Sequence, residues 1–331
     1  MTGAASQATT AVDLDVLARF ERDLDPRHPE RSALPTRVLG YGEISTVLEI
    51  EMAGGRRLAY KRMPMFKNEV EAEHFAAVYQ EYMQVLRERV DLRVVPGELV
   101  WIPDEKHGRV VAYILQERLD QAAIGHRLIH SLSDGDIHKL VLAVLRETAK
   151  VFDFNAANKG QLEVAIDGQI SNWAISGSQG GTSALGESFR LAYFDTSTPF
   201  LRKDGVEQLD PELFLRSAPS FLTWVLRLLF VKDVMTRYYD FRKVATDLVA
   251  NFFKEQRADL VPGLVAVVNK FFSAGERVQP FEPLSVREVR AYYREDAWIW
   301  RLYLAFRKAD RGLHRLVGRH YPYILPERID R

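Results

Sequence analysis

The sequence predicts an α+β protein in which a small antiparallel β-sheet with one main helix precedes a larger, mostly helical part. Three observations support this fold class. Apolar residues alternate through residues 36–63, an uninterrupted helical pattern follows at residues 68–89, and helical character dominates beyond residue 120, with one brief return of β structure. The predicted divisions are a polar N-terminal extension at 1–35, a β-rich part at 36–117 and a helical part at 118–331.

The β-rich part is predicted to have the element order β-β-β-α-β-β, with a short helix around Asp13–Leu24 before it. Glycines in LGYG and in MAGG interrupt the apolar alternation, so three strands are expected before residue 67. The helix at Asn68–Arg89 contains neither Gly nor Pro. Two more strands are expected at Leu99–Ile102 and Val110–Gln116.

The helical part begins after a short linker at Gln116–Asp120. A long amphipathic helix is predicted at Asp134–Phe154. β structure returns briefly at Gln161–Ile175 and Phe189–Phe194, and the Gly/Ser-rich segment Ser176–Ser188 between them is predicted to be a solvated loop. The remainder is predicted to be mostly helical.

Composition excludes several classes of protein. The 331 residues include 45 Lys and Arg against 45 Asp and Glu, so the net charge of +0 gives no general attraction to nucleic acid or acidic membranes. Cysteine is absent, which excludes disulfides, Cys-ligated metals and thiol catalysis and fits a reducing cytoplasm. The start lacks a signal-peptide pattern, and the apolar run at residues 221–231 is shorter than the roughly 20 residues that span a bilayer. We expect a cytoplasmic protein without nucleic-acid or membrane partners, with this run in a buried helix.

Candidate phosphate-binding residues lie in the β-rich part. Phosphoryl transfer requires a cover over the phosphates, a cation on their oxygens, oxygen ligands for Mg²⁺ and an acceptor for a hydroxyl proton. Gly40 and Gly42 allow backbone N–H groups to approach a ligand closely, although a plain hairpin turn also explains them. Lys61, inside a following strand, is the candidate cation, and a solvated strand lysine is the alternative.

A glutamate on the helix after Lys61 is expected to pair with that lysine and to hold its ammonium group against the phosphates. Glu81 lies in the middle of this helix. Glu71 and Glu73 lie nearer the helix start, where acidic residues complement the helix dipole. Glu81 is therefore the predicted partner.

Three oxygen-bearing side chains lie next to short strands of the helical part. Asp167 and Asn172 are five positions apart in IDGQISNWAI, and Asp195 follows the apolar run LAYF. Carboxylate and amide oxygens are ligands that Mg²⁺ prefers. Asp-Gly between apolar alternations is also a strong hairpin signal, so Asp167 has a purely structural alternative.

The joint order of these features over about residues 36–200 resembles the protein-kinase-like fold, and more narrowly the aminoglycoside phosphotransferase and choline kinase branch. The resemblance implies a bilobal fold with a nucleotide-binding N-lobe, ATP or GTP as phosphate donor, and Mg²⁺. The residues it assigns are Asp167 as catalytic base, Lys61 on the phosphates, Asn172 and Asp195 as Mg²⁺ ligands, Gly40, Gly42, Ser45 and Glu81 around the nucleotide, and Gln116, Glu117 and Arg118 at the base-binding hinge.

Two departures from the pattern of relatives motivate an alternative function. The His and Gly that precede the catalytic Asp in relatives are Ala165 and Ile166 here, and Thr196 and Ser197 follow the metal-binding Asp. The leading hypothesis is a phosphotransferase that moves the γ-phosphoryl group to a hydroxyl of a small molecule or of a peptide Ser/Thr. The alternative is a catalytically weak or inactive kinase-like scaffold protein.

Acceptor selection is assigned to the helical part. The candidate acceptor-binding residues are Tyr238, Tyr239, Asp240, Tyr292, Tyr293 and Asp296.

Two other features of the helical part are expected to lie on its surface. The basic segment FRKADRGLHRLVGRH, which includes Arg307, is expected to form a solvated helical face, with an anion or partner patch as the alternative. His126 and His130 are expected to be a surface pair on a helix, because no carboxylate lies between them as in a zinc site.

Overall fold

The structure, a computed structural model, describes residues 12–42, 44–52, 57–177, 184–186, 188–216, 236–274 and 281–327. The glycines of the MAGG turn, most of the loop at Ser176–Ser188 and the apolar run at residues 221–231 lie outside these ranges. In the described part of the chain, no helix has the length and apolarity needed to cross a membrane.

An antiparallel five-stranded sheet forms the N-lobe, with the predicted element order. Its strands are β1 Thr36–Tyr41, β2 Thr46–Ile50, β3 Leu58–Phe66, β4 Gly97–Asp104 and β5 Arg109–Glu117. They are arranged in the order β1-β2-β3-β5-β4, and all neighbouring pairs are antiparallel. A short helix, α1 at Leu14–Asp23, precedes the sheet, and the long helix α2 at Glu69–Gln84 connects β3 to β4.

Helix α2 begins where the sequence provides a cap. The side chain of Asn68 accepts a hydrogen bond from the backbone N–H of Glu71 at 3.0 Å, which satisfies one of the otherwise unpaired donors of the first turn. The helix continues into one π-helical turn at Val85–Arg89, so the predicted helix at Asn68–Arg89 is confirmed. Its inner face buries Phe75 and Tyr82 in the main core.

The C-lobe is mainly helical, as predicted. Its helices are α3 Gly125–Leu128, α4 Asp134–Ala157, α5 Glu212–Leu215, α6 Phe241–Lys254, α7 Val261–Ser273 and α8 Val286–Leu316. Its short strands are β6 Leu162–Val164, β7 Trp173–Ile175, β8 Leu191–Tyr193, β9 Leu201–Lys203 and β10 Val206–Glu207. β7 pairs with β8, and β9 lies between β6 and β10. This arrangement is a bilobal, kinase-like α+β fold, which confirms the predicted fold class.

The two faces of the N-lobe sheet are covered by different parts of the chain. The inner face belongs to one apolar core that continues through α2 into α4, α6 and α7. The outer face buries a second core, to which α1 contributes Leu17 and Phe20 and the C-terminal segment contributes Ile324. Residues from both ends of the described chain therefore contact a sheet formed by residues 36–117.

A buried ion pair fastens α1 to the outer face. Arg62 and Glu21 are almost fully buried and lie 2.5 Å apart at their closest atoms. Arg62 also donates to the backbone carbonyl of Pro322 at 2.6 Å, and the hydroxyl of Tyr113 donates to Glu21. Because side chains alternate along a strand, Arg62 lies on the face opposite to that of its neighbour Lys61.

Helix α8 connects the C-lobe to the C-terminal segment on the N-lobe. Its 31 residues span about 46 Å at 1.5 Å per residue. Near its start, Glu288 pairs with Arg242 of α6 at 2.5 Å. Near its end, Arg307 is buried against the rings of Tyr303 and Tyr323, so the prediction that this residue belongs to a solvated face is wrong. The guanidinium group is covered because the C-terminal segment returns across the helix, which helical periodicity cannot show.

The buried pair yields a stability prediction. Arg62→Met leaves the Glu21 carboxylate buried without its cation, so the free energy of unfolding should fall by about 3–5 kcal/mol. The matched control is Arg37→Met, which removes the more exposed partner of Glu49 and should cost less than about 1 kcal/mol. Urea unfolding at pH 7 measures both. Equal losses in the two variants would contradict a structural role for the Arg62 pair.

Candidate active site

A cavity of about 620 Å³ lies between the N-lobe sheet and the C-lobe. It brings together residues that are far apart in the sequence and that were predicted to act together. The predicted site residues that line it are Gly40, Gly42, Ser45, Lys61, Gln116, Glu117, Arg118, Asp167, Asn172 and Asp195.

An ion pair crosses this cavity. Nζ of Lys61, on the inner face of β3, lies 2.5 Å from Oδ1 of Asp195, which follows β8. Burial raises the pKa of Asp195, but the charge and hydrogen bond of Lys61 and a 3.1 Å hydrogen bond from Ser197 outweigh burial and hold that pKa below its ordinary value. Asp195 is therefore ionised at neutral pH.

Asn172 is placed beside Asp195 by the pairing of two short strands. Trp173 of β7 pairs with Tyr193 of β8 in antiparallel register, so the residue before β7 lies next to the residues after β8. The backbone N–H of Phe194 donates to the carbonyl of Asn172 at 3.1 Å. The side-chain nitrogen of Asn172 donates to the carbonyl of Asp167 at 3.1 Å, which ties Asn172 to the loop that carries Asp167.

Asp167 has negatively charged neighbours, whereas Asp195 has a positively charged one. Burial, followed by the negative charges of Asp247 and Asp195, raises the pKa of Asp167 to about 7. Its carboxylate accepts the backbone N–H of Gln169 at 3.1 Å, and the side chain of Gln169 donates to Asp247 of α6 at 3.0 Å. The loop is therefore anchored to α6, and Asp167 titrates near neutrality.

The hairpin alternative for Asp167-Gly168 is wrong. β6 pairs with β9 and β7 pairs with β8, so the Asp-Gly step joins two strands that belong to different sheets. A 3₁₀ turn at Ile170–Asn172 completes the connection. Two tyrosines hold this loop, since the Tyr82 hydroxyl donates to the carbonyl of Ala165 at 2.8 Å and the Tyr193 hydroxyl accepts the backbone N–H of Asp167 at 3.2 Å.

The glycine turn lies at the N-lobe side of the cavity. The backbone N–H of Gly42 donates to the carbonyl of Ser45 at 2.9 Å, which closes the turn between β1 and β2. A Cβ atom on Gly42 would lie 2.8 Å from Oγ of Ser45, so a larger residue there would force the Ser45 side chain to move. The register of β1 shifts between Val38 and Gly40, as in a β-bulge.

The predicted hinge residues lie where β5 ends. The side chain of Gln116 donates to the carbonyl of Phe194 at 3.2 Å, which links β5 to the segment that carries Asp195. Arg118 pairs with Glu49 of β2 at 2.5 Å, and its backbone N–H donates to the carbonyl of Arg57 at 3.0 Å. Glu117 is the last residue of β5.

Glu81 does not join the site, so its predicted pairing with Lys61 is corrected. Its carboxylate lies 2.6 Å from Nζ of Lys203 in β9, and the partner of Lys61 is Asp195. Helix α2 is instead linked to the cavity by Tyr79, whose hydroxyl lies 3.3 Å from Oγ1 of Thr196. The helix position of Glu81 was predictable, but the strand facing it across the fold was not.

The cavity is also lined by residues that the sequence analysis did not assign to it. They come from α3, from the segment before α6, from the end of α6 and from α8, and no motif connects them. They include His126, Arg127, Arg237, Lys254, Trp300, Tyr303, Leu304 and Arg307. Burial, with the positive charges of Arg127 and Lys254, lowers the pKa of His126 to about 4, so this imidazole is neutral at physiological pH.

Of the candidate acceptor-binding residues, Tyr238 lines the cavity. The others lie elsewhere. The hydroxyl of Tyr239 donates to Glu207, Asp240 caps the start of α6, and Tyr293 stacks on Phe253. Tyr292 and Asp296, on α8, do not line the cavity either. Of the six candidates, Tyr238 alone is therefore among the residues that line the cavity.

The oxygen donors of the site fit Mg²⁺. Asp195 offers an ionised carboxylate, and Asn172 offers an amide oxygen on the neighbouring strand end, both hard ligands of the kind that Mg²⁺ uses together with phosphate oxygens and water. The described residues contain no group of three or more His, Asp or Glu side chains that could hold a metal ion, so an ion held by Asn172 and Asp195 would need phosphate or water oxygens to complete its coordination.

The β-sheet lobe, the helical lobe and the cavity between them together define a protein-kinase-like fold. The chain belongs to the family of unknown function DUF6206, whose family model matches residues 26–311. No curated protein matches the sequence.

Two solved kinase structures are similar to this chain at low identity. WaaP in complex with acyl carrier protein is 12% identical with a TM-score of 0.33, covering 72% of this chain and 90% of its own. The kinase domain of maize SIRK1, sucrose-induced receptor kinase 1, bound to AMP-PNP is 12% identical with a TM-score of 0.40, covering 79% of this chain and 92% of its own.

The raised pKa of Asp167 predicts how stability depends on pH. Between an unfolded pKa of about 3.9 and the folded pKa of about 7, the folded protein binds more protons than the unfolded chain, so stability falls as pH rises. Asp167→Asn removes this loss and should be more stable than wild type at pH 8 by at least about 1 kcal/mol, with the difference vanishing below about pH 4. Chemical denaturation across this pH range measures it.

The matched control is Asp204→Asn, in the exposed turn between β9 and β10. The free energy of unfolding of this control should vary with pH in parallel with that of wild type. If the free energy of unfolding of Asp167→Asn also varied in parallel with that of wild type, Asp167 would not carry a raised pKa.

Proposed function

We propose that this protein is a nucleotide-dependent phosphotransferase that moves the γ-phosphoryl group of ATP or GTP to a hydroxyl of a small molecule. The observation that carries the proposal is the convergence of Lys61, Asp167, Asn172 and Asp195 on one cavity between a β-rich lobe and a helical lobe. These are a cation, a carboxylate that titrates near neutrality and two hard oxygen ligands, which are the parts that phosphoryl transfer needs.

The nucleotide would bind on the N-lobe side of the cavity. The turn that contains Gly42 and Ser45 is the proposed cover over the phosphates, and the backbone at Gln116–Arg118 would contact the base. Lys61 would bind phosphate oxygens, and its pairing with Asp195 already places its ammonium group beside the proposed metal ligands. Mg²⁺, when bound at Asn172 and Asp195, would neutralise the charge that develops on the phosphates.

Asp167 is the proposed general base. The acceptor oxygen forms a bond to the γ-phosphorus, the bond from phosphorus to the β–γ bridging oxygen breaks, and Asp167 takes the hydroxyl proton. A pKa of about 7 suits this role, because the carboxylate is then basic enough to accept the proton yet ionised in much of the protein at neutral pH.

The wall formed by α8 favours a small acceptor over a peptide. Trp300, Tyr303 and Leu304 line the cavity from α8. This helix is fixed at both ends, because Glu288 near its start pairs with α6 and Arg307 near its end packs on the C-terminal segment. A peptide would have to pass this wall in extended form, whereas a small molecule needs only the space inside. We therefore propose a small-molecule acceptor, in keeping with the resemblance to the aminoglycoside phosphotransferase and choline kinase branch.

The scaffold alternative is supported by the replaced residues around Asp167 and Asp195. The structure weakens this support in two places. The loop that lacks the usual His is held by Tyr82 and Tyr193, and Ser197 donates a hydrogen bond to the carboxylate that it follows. These contacts hold the backbone that carries Asp167 and the carboxylate of Asp195, so a loss of activity does not follow from the substitutions.

Nucleotide binding should stabilise the protein. At a nucleotide concentration about 100 times Kd, the free energy of unfolding should rise by about 2.7 kcal/mol with Mg²⁺ present, measured as a shift in Tm. Lys61→Met should abolish the shift, and Asp195→Asn should remove its dependence on Mg²⁺. The matched control is Lys203→Met, whose lysine pairs with Glu81 away from the cavity and whose shift should equal that of wild type. A wild-type protein that shows no shift with ATP or GTP would exclude both the enzyme and a nucleotide-binding scaffold.

Turnover separates the enzyme from the scaffold. Nucleoside diphosphate release should be stimulated by a member of a panel of small-molecule alcohols and not by Ser/Thr peptides. Asp167→Asn should lower that rate by about 10²–10⁴-fold and leave the nucleotide-dependent Tm shift intact, because the carboxylate acts on the acceptor proton. A nucleotide shift with no turnover on either panel would favour the scaffold protein, and turnover on peptides alone would contradict the assignment of the acceptor.

A further inference from the structure

A second cleft, of about 470 Å³, lies behind the strands that carry the proposed metal ligands. It shares no lining residue with the larger cavity. Its walls come from the turn after α2, from the segment leading to β4, from α4 and from the residues before β8. The charged residues among them are Arg87, Asp91, Arg93, Glu147, Lys150 and Arg190.

The cleft carries an excess of positive charge that is not neutralised within the described part of the chain. Lys150 is held in place, since its ammonium group contacts Glu147 at 2.8 Å and the carbonyl of Asp91 at 3.0 Å. The guanidinium groups of Arg87, Arg93 and Arg190 make neither a hydrogen bond nor an ion pair with the residues described. All three are exposed to solvent.

The fold, and not the sequence, assembles these cations. Arg93 and Arg190 are almost 100 positions apart, and they are brought together because the segment containing Val94 pairs with Tyr193 at the end of β8. The N–H of Tyr193 donates to the carbonyl of Arg93 at 2.9 Å. Bringing like charges together costs free energy on folding, and a bound anion would offset that cost.

We propose that this cleft, lined by Arg87, Arg93, Lys150 and Arg190, is a binding site for a small anion with at least two phosphoryl groups. Four cations against two carboxylates leave an excess of two positive charges, and both carboxylates, Glu147 at 2.8 Å and Asp91 at 4.0 Å, already pair with Lys150. A guanidinium group binds phosphate oxygens in a bidentate manner, and three such groups around one cleft suit a ligand with oxygens on several sides. The proposal is independent of the phosphotransferase function.

Inorganic pyrophosphate is the probe for this site, measured by isothermal titration of the full chain at low salt without divalent cations. Wild type should bind it saturably, and Arg93→Ser/Arg190→Ser should weaken Kd at least about tenfold, because charge-assisted hydrogen bonds are lost. Lys203→Met should bind as wild type does, because its lysine pairs with Glu81 and lines neither cavity. Arg315→Ser/Arg319→Ser, which removes two exposed cations elsewhere, is the control with the same change in net charge.

Three results would overturn the proposal. The first is that pyrophosphate fails to bind wild type. The second is that Arg93→Ser/Arg190→Ser keeps the wild-type Kd. The third is that the control double variant weakens binding as much as the cleft variant does. Thermal melting without pyrophosphate separates lost binding from lost folding. The cleft variant should melt at or above the wild-type Tm because repulsion is relieved, and a lower Tm would contradict the charge crowding on which the proposal depends.

Discussion

The structure depends on two neighbouring side chains of β3 that point in opposite directions. Lys61 reaches across the cavity to Asp195 and joins the sheet to the C-lobe, while Arg62 binds Glu21 and the carbonyl of Pro322 on the outer face. Both interactions follow from the period of two along a strand. One strand therefore fixes the polar side of the cavity and also fastens the two terminal segments to the N-lobe.

The cavity gives two carboxylates opposite properties. Asp195 is buried but keeps a low pKa because a lysine lies against it, whereas burial and the nearby charges of Asp247 and Asp195 raise the pKa of Asp167 to about 7. Such separation of pKa values is how one site obtains both an ionised ligand and a proton acceptor. The loop containing Gln169 maintains the difference, because its side chain binds Asp247 and keeps that negative charge close to Asp167.

Sequence reasoning succeeded where local pattern fixes position. Alternation placed Lys61 inside a strand, and the ends of short apolar runs placed Asn172 and Asp195, so these residues lie where expected. It failed where the partner is supplied by a distant segment. Glu81 lies on the predicted helix but faces Lys203, and Arg307 lies on the predicted basic helix but is covered by the C-terminal segment. The additional lining residues, which include His126, Arg237 and Trp300, come from four separate segments, and no short motif records their proximity.

The docking of the C-terminal segment on the outer face also bears on how the chain folds as it is made. The last strand of the N-lobe sheet is complete at Glu117, about 200 residues before Pro322 and Ile324. At about 5–20 residues per second, the ribosome needs about 10–40 s to supply them. During that interval the sheet lacks part of its outer cover and Arg62 lacks one of its acceptors. A nascent chain of this protein therefore carries an incompletely covered β-sheet, a surface that chaperones bind and that stalled ribosomes would leave exposed.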